Sequence, residues 1–243
     1  MSAPVPGWAE QVKAEVARRY GQLAEVDGFR ADASARARAA GYPTRWLAGL
    51  PPSVAARYSG CGYALEDIDV TGVRIAVDLG CGAGLDALLL SQRLAPGSTV
   101  LALDLAPEML VRLREAAADG SGVPVLAVAG DIERLPLKDG IADLVLANAS
   151  INLTVDKRAA FAEIARILRP GGRLVARDLV HDGALPVDLA LDPAAWNASL
   201  GGVVSEADLR GAARAAGLAD VRISHHRPFS PVTAVRLEAV KPC

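Results

Sequence analysis

The sequence predicts an α/β fold: a doubly wound, largely parallel sheet, helices on both of its faces, and a helical segment ahead of the first strand. Three observations carry that expectation. The run Val73-Arg-Ile-Ala-Val-Asp-Leu-Gly-Cys-Gly-Ala-Gly-Leu-Asp86 takes an almost continuous apolar strand into a glycine-rich turn and then into a helix-like segment, 86–93. From residue 99 to 177 strand-like and helix-like patterns alternate, as parallel strands joined by right-handed helical crossovers do. A chain of 243 residues, 51% hydrophobic and 22% charged, buries a full core and suits one large domain with additions.

Taken in order, residues 8–22 repeat Val12, Val16 and Tyr20 at helical spacing, an amphipathic helix. A weaker helical stretch, 32–40, closes at Gly41 and Pro43. Residues 42–63 are rich in glycine, proline and aromatics (Trp46, Pro51, Pro52, Tyr58, Gly60, Gly62). They read as loops and a short helix outside the core, placed to fold over a ligand as a lid. Then come strand 99–103, helix 107–118, strands 123–129 and 141–147, helix 156–168, the turn Arg169-Pro-Gly-Gly172 and strand 173–177. The rhythm breaks after Asp178. Residues 181–202, with Pro186, Pro193 and Trp196, lack a clear period and read as a substrate-side insertion of loops and short helices. Ser205 caps a helix over 205–218, and 221–224 and 232–240 read as closing strands. The organisation is thus an N-terminal helical and lid segment (1–70), a ligand-binding core (71–180), and an insertion with closing helix and strands of the same domain (181–243).

Composition narrows the partners. A formal net charge of -2 gives no field for nucleic acid or an anionic membrane surface, so a small-molecule substrate is the expected partner. The first twenty residues carry Glu10 and Glu15 and lack the apolar core of a signal peptide, and no apolar run approaches a membrane span. Cys61, Cys81 and Cys243 are scattered without metal-ligand spacing, as expected in a reducing, cytoplasmic setting and with no metal.

The glycine turn points to a ligand. Gly80, Gly82 and Gly84 let the backbone turn sharply and lie close to a bound group, with helix N–H groups directed at it. A dinucleotide fingerprint needs a small residue where Leu85 stands, and the spacing here is G-x-G-x-G, which disfavours a pyrophosphate reader. Asp104 ends the neighbouring strand, placed to accept hydrogen bonds from ribose hydroxyls. The other reading is an ordinary βα turn followed by a chance acid; the ordered combination favours a cofactor site.

The motifs Val77-Asp-Leu-Gly-Cys-Gly-Ala-Gly84, Leu103-Asp-Leu-Ala-Pro-Glu-Met109, Gly130-Asp-Ile-Glu-Arg-Leu-Pro136, Asp143-Leu-Val-Leu-Ala-Asn148 and Ile167-Leu-Arg-Pro-Gly-Gly-Arg173 form an ordered set. Over about residues 71–180 this set resembles the class I S-adenosylmethionine-dependent methyltransferases. The resemblance implies a Rossmann-like sheet of seven strands with an antiparallel last strand, and S-adenosyl-L-methionine as cofactor. It further implies that Gly80, Gly82 and Gly84, with Asp78 and Cys81, sit against the methionine part, and that Asp104 holds the ribose diol. Asp131 and the Ile132 amide would read the adenine edge, Leu105 and Met109 would flank the ring, and Asn148 would meet cofactor or substrate. The chemistry agrees, since a carboxylate accepts an exocyclic amine proton while a backbone N–H donates to a ring nitrogen. For Asp131 a helix N-cap or turn acid is the other reading.

Over a longer span, Ser59-Gly-Cys-Gly62, Gly84-Leu-Asp86, Asn148-Ala-Ser-Ile-Asn-Leu153 followed by Asp156-Lys157, and residues 196–203 are similar to the arsenite methyltransferases. That resemblance implies three active-site cysteines, two of which bind arsenic. Here Cys61 stands, while the second position is Ala149 and the third Ser199. Trivalent arsenic takes soft thiolate ligands, which a methyl and a hydroxyl do not replace. The expected enzyme therefore keeps the cofactor site and methylates a small organic acceptor at O, N or C, with arsenite methylation as the runner-up. A cofactor binder without methyltransfer, or a cyclase on the same fold, is the rival of a different class.

Methyl transfer depends mainly on alignment in a dry cleft, with a general base only where the acceptor must lose a proton. His181, with Asp178 and Asp182 nearby in sequence, is the first candidate base, and its other reading is a solvated loop histidine. His225 and His226 end the next-to-last strand and are weaker candidates. Asn148 lies just past strand 141–147, where this fold meets the acceptor; Asn152 is nearby. Cys61 either contacts the acceptor or is a small buried residue between two glycines. Tyr20, Tyr58 and Trp196 either line an apolar pocket or pack the core.

Overall fold

The computed structural model describes residues 7–25, 34–118, 120–183, 195–196 and 199–243. Five parallel strands form its centre: β1 (Ile75–Leu79), β2 (Thr99–Asp104), β3 (Val125–Ala129), β4 (Ala142–Asn148) and β5 (Leu168–His181). The last strand, β8 (Val232–Val240), runs antiparallel between β5 and β7 (Ala219–Phe229). The order is β3-β2-β1-β4-β5-β8-β7, and a two-residue β6 (Val204–Ser205) adds an eighth strand at the end of β5.

The apolar runs of these strands face helices on both sides. Alternation sends Ala76, Leu144 and Leu146 to one core, with α5 (Leu85–Ser91) and α6 (Pro107–Ala117), and sends Val77, Leu79 and Val145 to the other. That second core packs Phe161 and Ile164 of α7 (Lys157–Ile167) and Leu209 of α8 (Glu206–Ala215). Both of those helices start on side-chain caps. The Asp156 carboxylate accepts from the N–H groups of Arg158 and Ala159, and Ser205 Oγ accepts from Asp208 N–H, each cap worth about 1 kcal/mol.

Register then places the chemistry. Leu79 lies opposite both Leu103 and Ala147, and Asn148 opposite Arg177, so Gly80, Asp104, Asn148 and Asp178 share one edge of the sheet. The winding direction reverses at β1, and a crevice opens at the carboxyl ends of β1 and β4.

Several expectations are corrected. Residues 42–63 are core, not surface loops: α3 (Thr44–Leu47) and α4 (Pro52–Ala56) contribute Leu47 and Val54, and Tyr42 packs on Tyr58 and Tyr63 at ring distances of 5.1 and 4.7 Å. The expected turn at Arg169–Gly172 is an irregularity inside the continuous strand β5, between the pairs Ala142–Leu168 and Leu144–Arg173. Strand β7 is longer than expected and carries two register shifts. The N-terminal helix α1 extends over Trp8–Glu25, and of the stretch at 32–40 the described part is α2 (Ala35–Ala39). In the expected insertion, residues 184–194 and 197–198, with Pro186 and Pro193, lie outside the described residues. Among the described residues no helix is long and apolar enough to cross a membrane.

Candidate active site

The glycine turn after β1 is braced by β2. The N–H groups of Gly80 and Cys81 both donate to the Leu103 carbonyl, at 2.8 and 2.9 Å. Gly82 N–H donates to Asp104 Oδ2 at 2.8 Å, and Ala106 N–H donates to Oδ1 at 2.9 Å. One carboxylate thus closes the turns after two strands, and it also lines the crevice. Burial raises its pKa. Gly82 has φ +52° and lines the crevice, and among the described residues nothing lies within 4 Å of the position a Cβ would take. Gly84 is different, and its expected place against the ligand is corrected: it caps α5 at φ +92° and faces the Leu113 side chain of α6.

Leu105, Asp131 and Ile132 line the far end of the crevice, and α1 roofs it through Lys13, Val16 and Tyr20. Lys13 Nζ bridges Asp131 Oδ2 and Glu133 Oε2, both at 2.7 Å. The other Asp131 oxygen accepts from Glu133 N–H at 2.9 Å, so Asp131 is a turn acid and a crevice wall at once. Met109, expected beside the ring, is fully buried behind the wall with Ala24, Ala83 and Ala106, where it joins α6 to α1.

At the near end, Asp78, Cys81, Asp86 and Arg57 line a polar lobe. Asp78 is 2% exposed, and its Oδ2 has no hydrogen-bond partner among the described residues. Burial and the charges of Asp86 and Asp104 push its pKa up. A buried carboxylate in that state favours a cationic ligand, whose charge offsets the cost of burial. Asp86 is pushed up to about 6 by burial, although it accepts from the Tyr42 hydroxyl at 2.7 Å and from Asn148 Nδ2 at 2.9 Å.

Asn148 is the hub between this lobe and the segment before β1. Its amide nitrogen also reaches the Gly62 carbonyl at 2.9 Å and the Tyr42 hydroxyl at 3.0 Å, and its Oδ1 accepts from Cys61 N–H at 3.0 Å. The Gly-Cys-Gly segment is therefore pinned to the end of β4. Beyond it lies a second cavity of about 500 Å³, joined to the crevice along Tyr20, Ser59 and Ala149. Cys61, Ala149 and Ser199 all line it. Burial and the charge of Asp178 push the Cys61 thiol well up, so it is held protonated.

The expectation for His181 is corrected. It ends β5 beside Ser205 of β6, lines neither the crevice nor this cavity, and Asp178 turns inward to the N–H groups of Asn152 and Leu179. His225 contacts Ser224, and His226 contacts Glu206. Trp196 packs edge-on against Trp8 at 5.8 Å, while Tyr20 lines both spaces and Tyr58 the polar lobe. Sequence reasoning missed Lys13, Ser59, Ser150 and Thr154 as crevice residues. Lys13 shares a helix face with Val16 and Tyr20, so the apolar stripe held a usable signal.

Residues 77–176 match a methyltransferase domain family. The chain is 32% identical over 165 residues to an arsenite methyltransferase of Halobacterium salinarum, covering 68% of this chain and 42% of that protein. It is 31% identical over 191 residues to an arsenite methyltransferase of Aquipseudomonas alcaligenes, covering 76% and 55%. The chain belongs to the class I S-adenosylmethionine-dependent methyltransferases. An arsenic(III) S-adenosylmethionine methyltransferase from Chlamydomonas reinhardtii shares the fold of this methyltransferase with a TM-score of 0.66, at 24% identity over 86% of this chain and 73% of that one. The methyltransferase chain spans about half the length of the curated relatives it matches. Its cofactor is S-adenosylmethionine. The open space in front of Gly82 and the unpartnered Asp78 oxygen suit a cofactor that carries an ammonium and a sulfonium.

Proposed function

We propose that this methyltransferase transfers a methyl group from S-adenosylmethionine to an O, N or C atom of a small organic acceptor seated in the second cavity. Its three free cysteines and its arginine-rich, lysine-poor composition support a bacterial, cytoplasmic enzyme of specialised metabolism. When bound in the crevice, the cofactor would supply an electrophilic methyl group: an electron pair of the acceptor would form the new bond to carbon, the C–S pair would pass to sulfur, and a proton lost from an O, N or C acceptor would go to water at the cavity mouth.

The chain's own residues bind and align. Asp104 keeps lone pairs for the ribose diol beyond those its two N–H donors use. Asp131 and the Ile132 N–H take the adenine edge, and Asp78 with the glycine turn takes the methionine end. Tyr20, Ser59 and Ala149 form the boundary that the methyl group crosses. Among the described residues lining the acceptor cavity there is no histidine, aspartate or glutamate, so the rate depends on alignment and exclusion of water rather than on a side-chain base. Asn148 is a positioning residue in this scheme.

The convergence of Cys61, Ala149 and Ser199 on one cavity carries the acceptor reading. The family resemblance puts active-site cysteines at these positions, with arsenic bound at those of Ala149 and Ser199, and here the one remaining thiol, at Cys61, is kept neutral by burial. Arsenite methylation is the second reading, favoured by the names of the relatives. Incubation with arsenite, a thiol reductant and labelled cofactor decides between them. The expected result is no methylated arsenic from the natural chain, with arsenite binding appearing in an Ala149→Cys/Ser199→Cys variant. Methylated arsenic from the natural chain would overturn the organic-acceptor reading.

A further inference from the structure

The walls of the acceptor cavity are more informative than its volume. Three separate elements bring arginines to it: Arg19 from α1, Arg36 from α2 and Arg227 from β7. No acidic residue lines it among the described residues, although the whole chain carries a net charge of -2. The positive charge is therefore a local feature of this cavity. Arg227 Nη1 donates to the Ala40 carbonyl at 3.1 Å, which fixes one guanidinium at the rim. Arg19 and Arg36 are exposed, and neither forms an ion pair or side-chain hydrogen bond among the described residues. Their donors are free for a ligand. Pro228 and Phe229, exposed beside Arg227, add apolar surface at the mouth, and beneath the rim the wall is apolar with the buried Ala149, Leu179 and Ala234.

Guanidinium groups present a planar fork of donors that matches a carboxylate or phosphate, and aliphatic and aromatic walls favour a hydrocarbon body. We propose that the methyl acceptor is a small organic anion, its acidic group held among Arg19, Arg36 and Arg227 and its apolar body directed inward past Cys61 toward Ser59 and Ala149. This rests on the methyltransfer reading above and names the acceptor class for that site. The rim charge also concentrates anions at the cavity mouth, an effect that salt screens.

The test titrates the purified full chain, with S-adenosylhomocysteine present, using 4-hydroxybenzoate, phenyl phosphate and the neutral methyl 4-hydroxybenzoate, followed by ligand-observed NMR at low and high salt. Both anions are expected to bind about tenfold more tightly than the ester, the sum of two exposed charge pairs of ordinary strength. High salt should shrink the preference. An Arg19→Gln/Arg36→Gln variant should lose it while keeping its melting temperature and its S-adenosylhomocysteine affinity, and the Arg→Lys pair should restore part of it. Equal binding of ester and anions, no binding by any of the three, or a preference that survives in the glutamine variant would each overturn the anion assignment. Failure of S-adenosylhomocysteine itself to bind would instead overturn the methyltransfer reading on which the assignment rests.

Discussion

Replacing Asp104 with alanine separates the two duties of one carboxylate. In the folded chain it accepts hydrogen bonds from Gly82 N–H and Ala106 N–H at 2.8 and 2.9 Å, and it faces the cofactor crevice. Removing it leaves two nearly buried donors without an acceptor, a loss of about 1 kcal/mol each; relief of burying a charge offsets part of this, since burial holds its pKa up. The net loss of stability should be about 1 to 2 kcal/mol, a fall of roughly 2 to 8 °C in melting temperature for a chain of this length. Loss of charge-assisted ribose contacts should weaken cofactor binding by about 1 to 3 kcal/mol, roughly 5- to 150-fold. Denaturant unfolding of the free protein reads the first quantity, and calorimetric titration with S-adenosylhomocysteine reads the second. Asp104→Asn keeps one acceptor oxygen for the turns and should recover about half of the stability. If the folded Asp104→Ala variant binds S-adenosylhomocysteine as tightly as the natural chain, the carboxylate only braces the turns and its assignment to the ribose is wrong.

Gly82→Val should remain folded, at a cost of about 1 to 2 kcal/mol for a branched residue at φ +52°, and give no binding heat because its side chain fills the crevice; retained binding would move the ligand elsewhere. Gly84→Ala should do the reverse, lowering stability by about 2 to 4 kcal/mol through overlap with Leu113 while any folded fraction still binds. The Asp86 pKa is raised from 3.8 to about 6, so its contribution to stability is complete below 3.8 and is lost as pH rises through 6. Asp86→Asn should therefore become relatively more stable than the natural chain across that window, and parallel melting curves for the two would refute the shift. Lys13→Met removes both partly exposed ion pairs that dock α1, and hydrogen exchange should show faster opening of α1 amides with the strands unchanged.

The parts of the fold legible in the sequence are those in which local chemistry and tertiary role coincide. The strand before Gly80, the turn and the buried helix α5 share one apolar signal, and Asp104 follows from its position at a strand end. The segment 42–63 was illegible because its burial comes from tyrosines stacked between four- and five-residue helices, which have no period to read. His181 shows a second limit: the sequence puts it a few residues past strand 173–177, whereas β5 runs on to it and pairs there with β6, so its surroundings depend on a pairing the sequence does not display. Met109 and Gly84 show a third. Both stand within a few residues of true crevice residues, yet the face each presents is set by how α6 meets α1 and α5.

The two halves of the site are also held by different means. The cofactor crevice is mainly backbone, closed by N–H donors on the Leu103 carbonyl and the Asp104 carboxylate, so its geometry tolerates little change. In the acceptor cavity the backbone is held while the side chains are free to differ. Ala149 and Ser199 sit at φ +54° and +62°, a left-handed conformation that costs a non-glycine residue about 1 kcal/mol or more. The conformation persists because Ala149 N–H is tied to the Arg177 carbonyl at 2.8 Å and Ser199 N–H to the Trp196 carbonyl at 2.9 Å. Those ties do not depend on the side chain. A thiol, a methyl or a hydroxyl at either position therefore projects into the same space from the same wall, and the acceptor can change between close relatives while the crevice, the sheet and the methyl donor stay as they are.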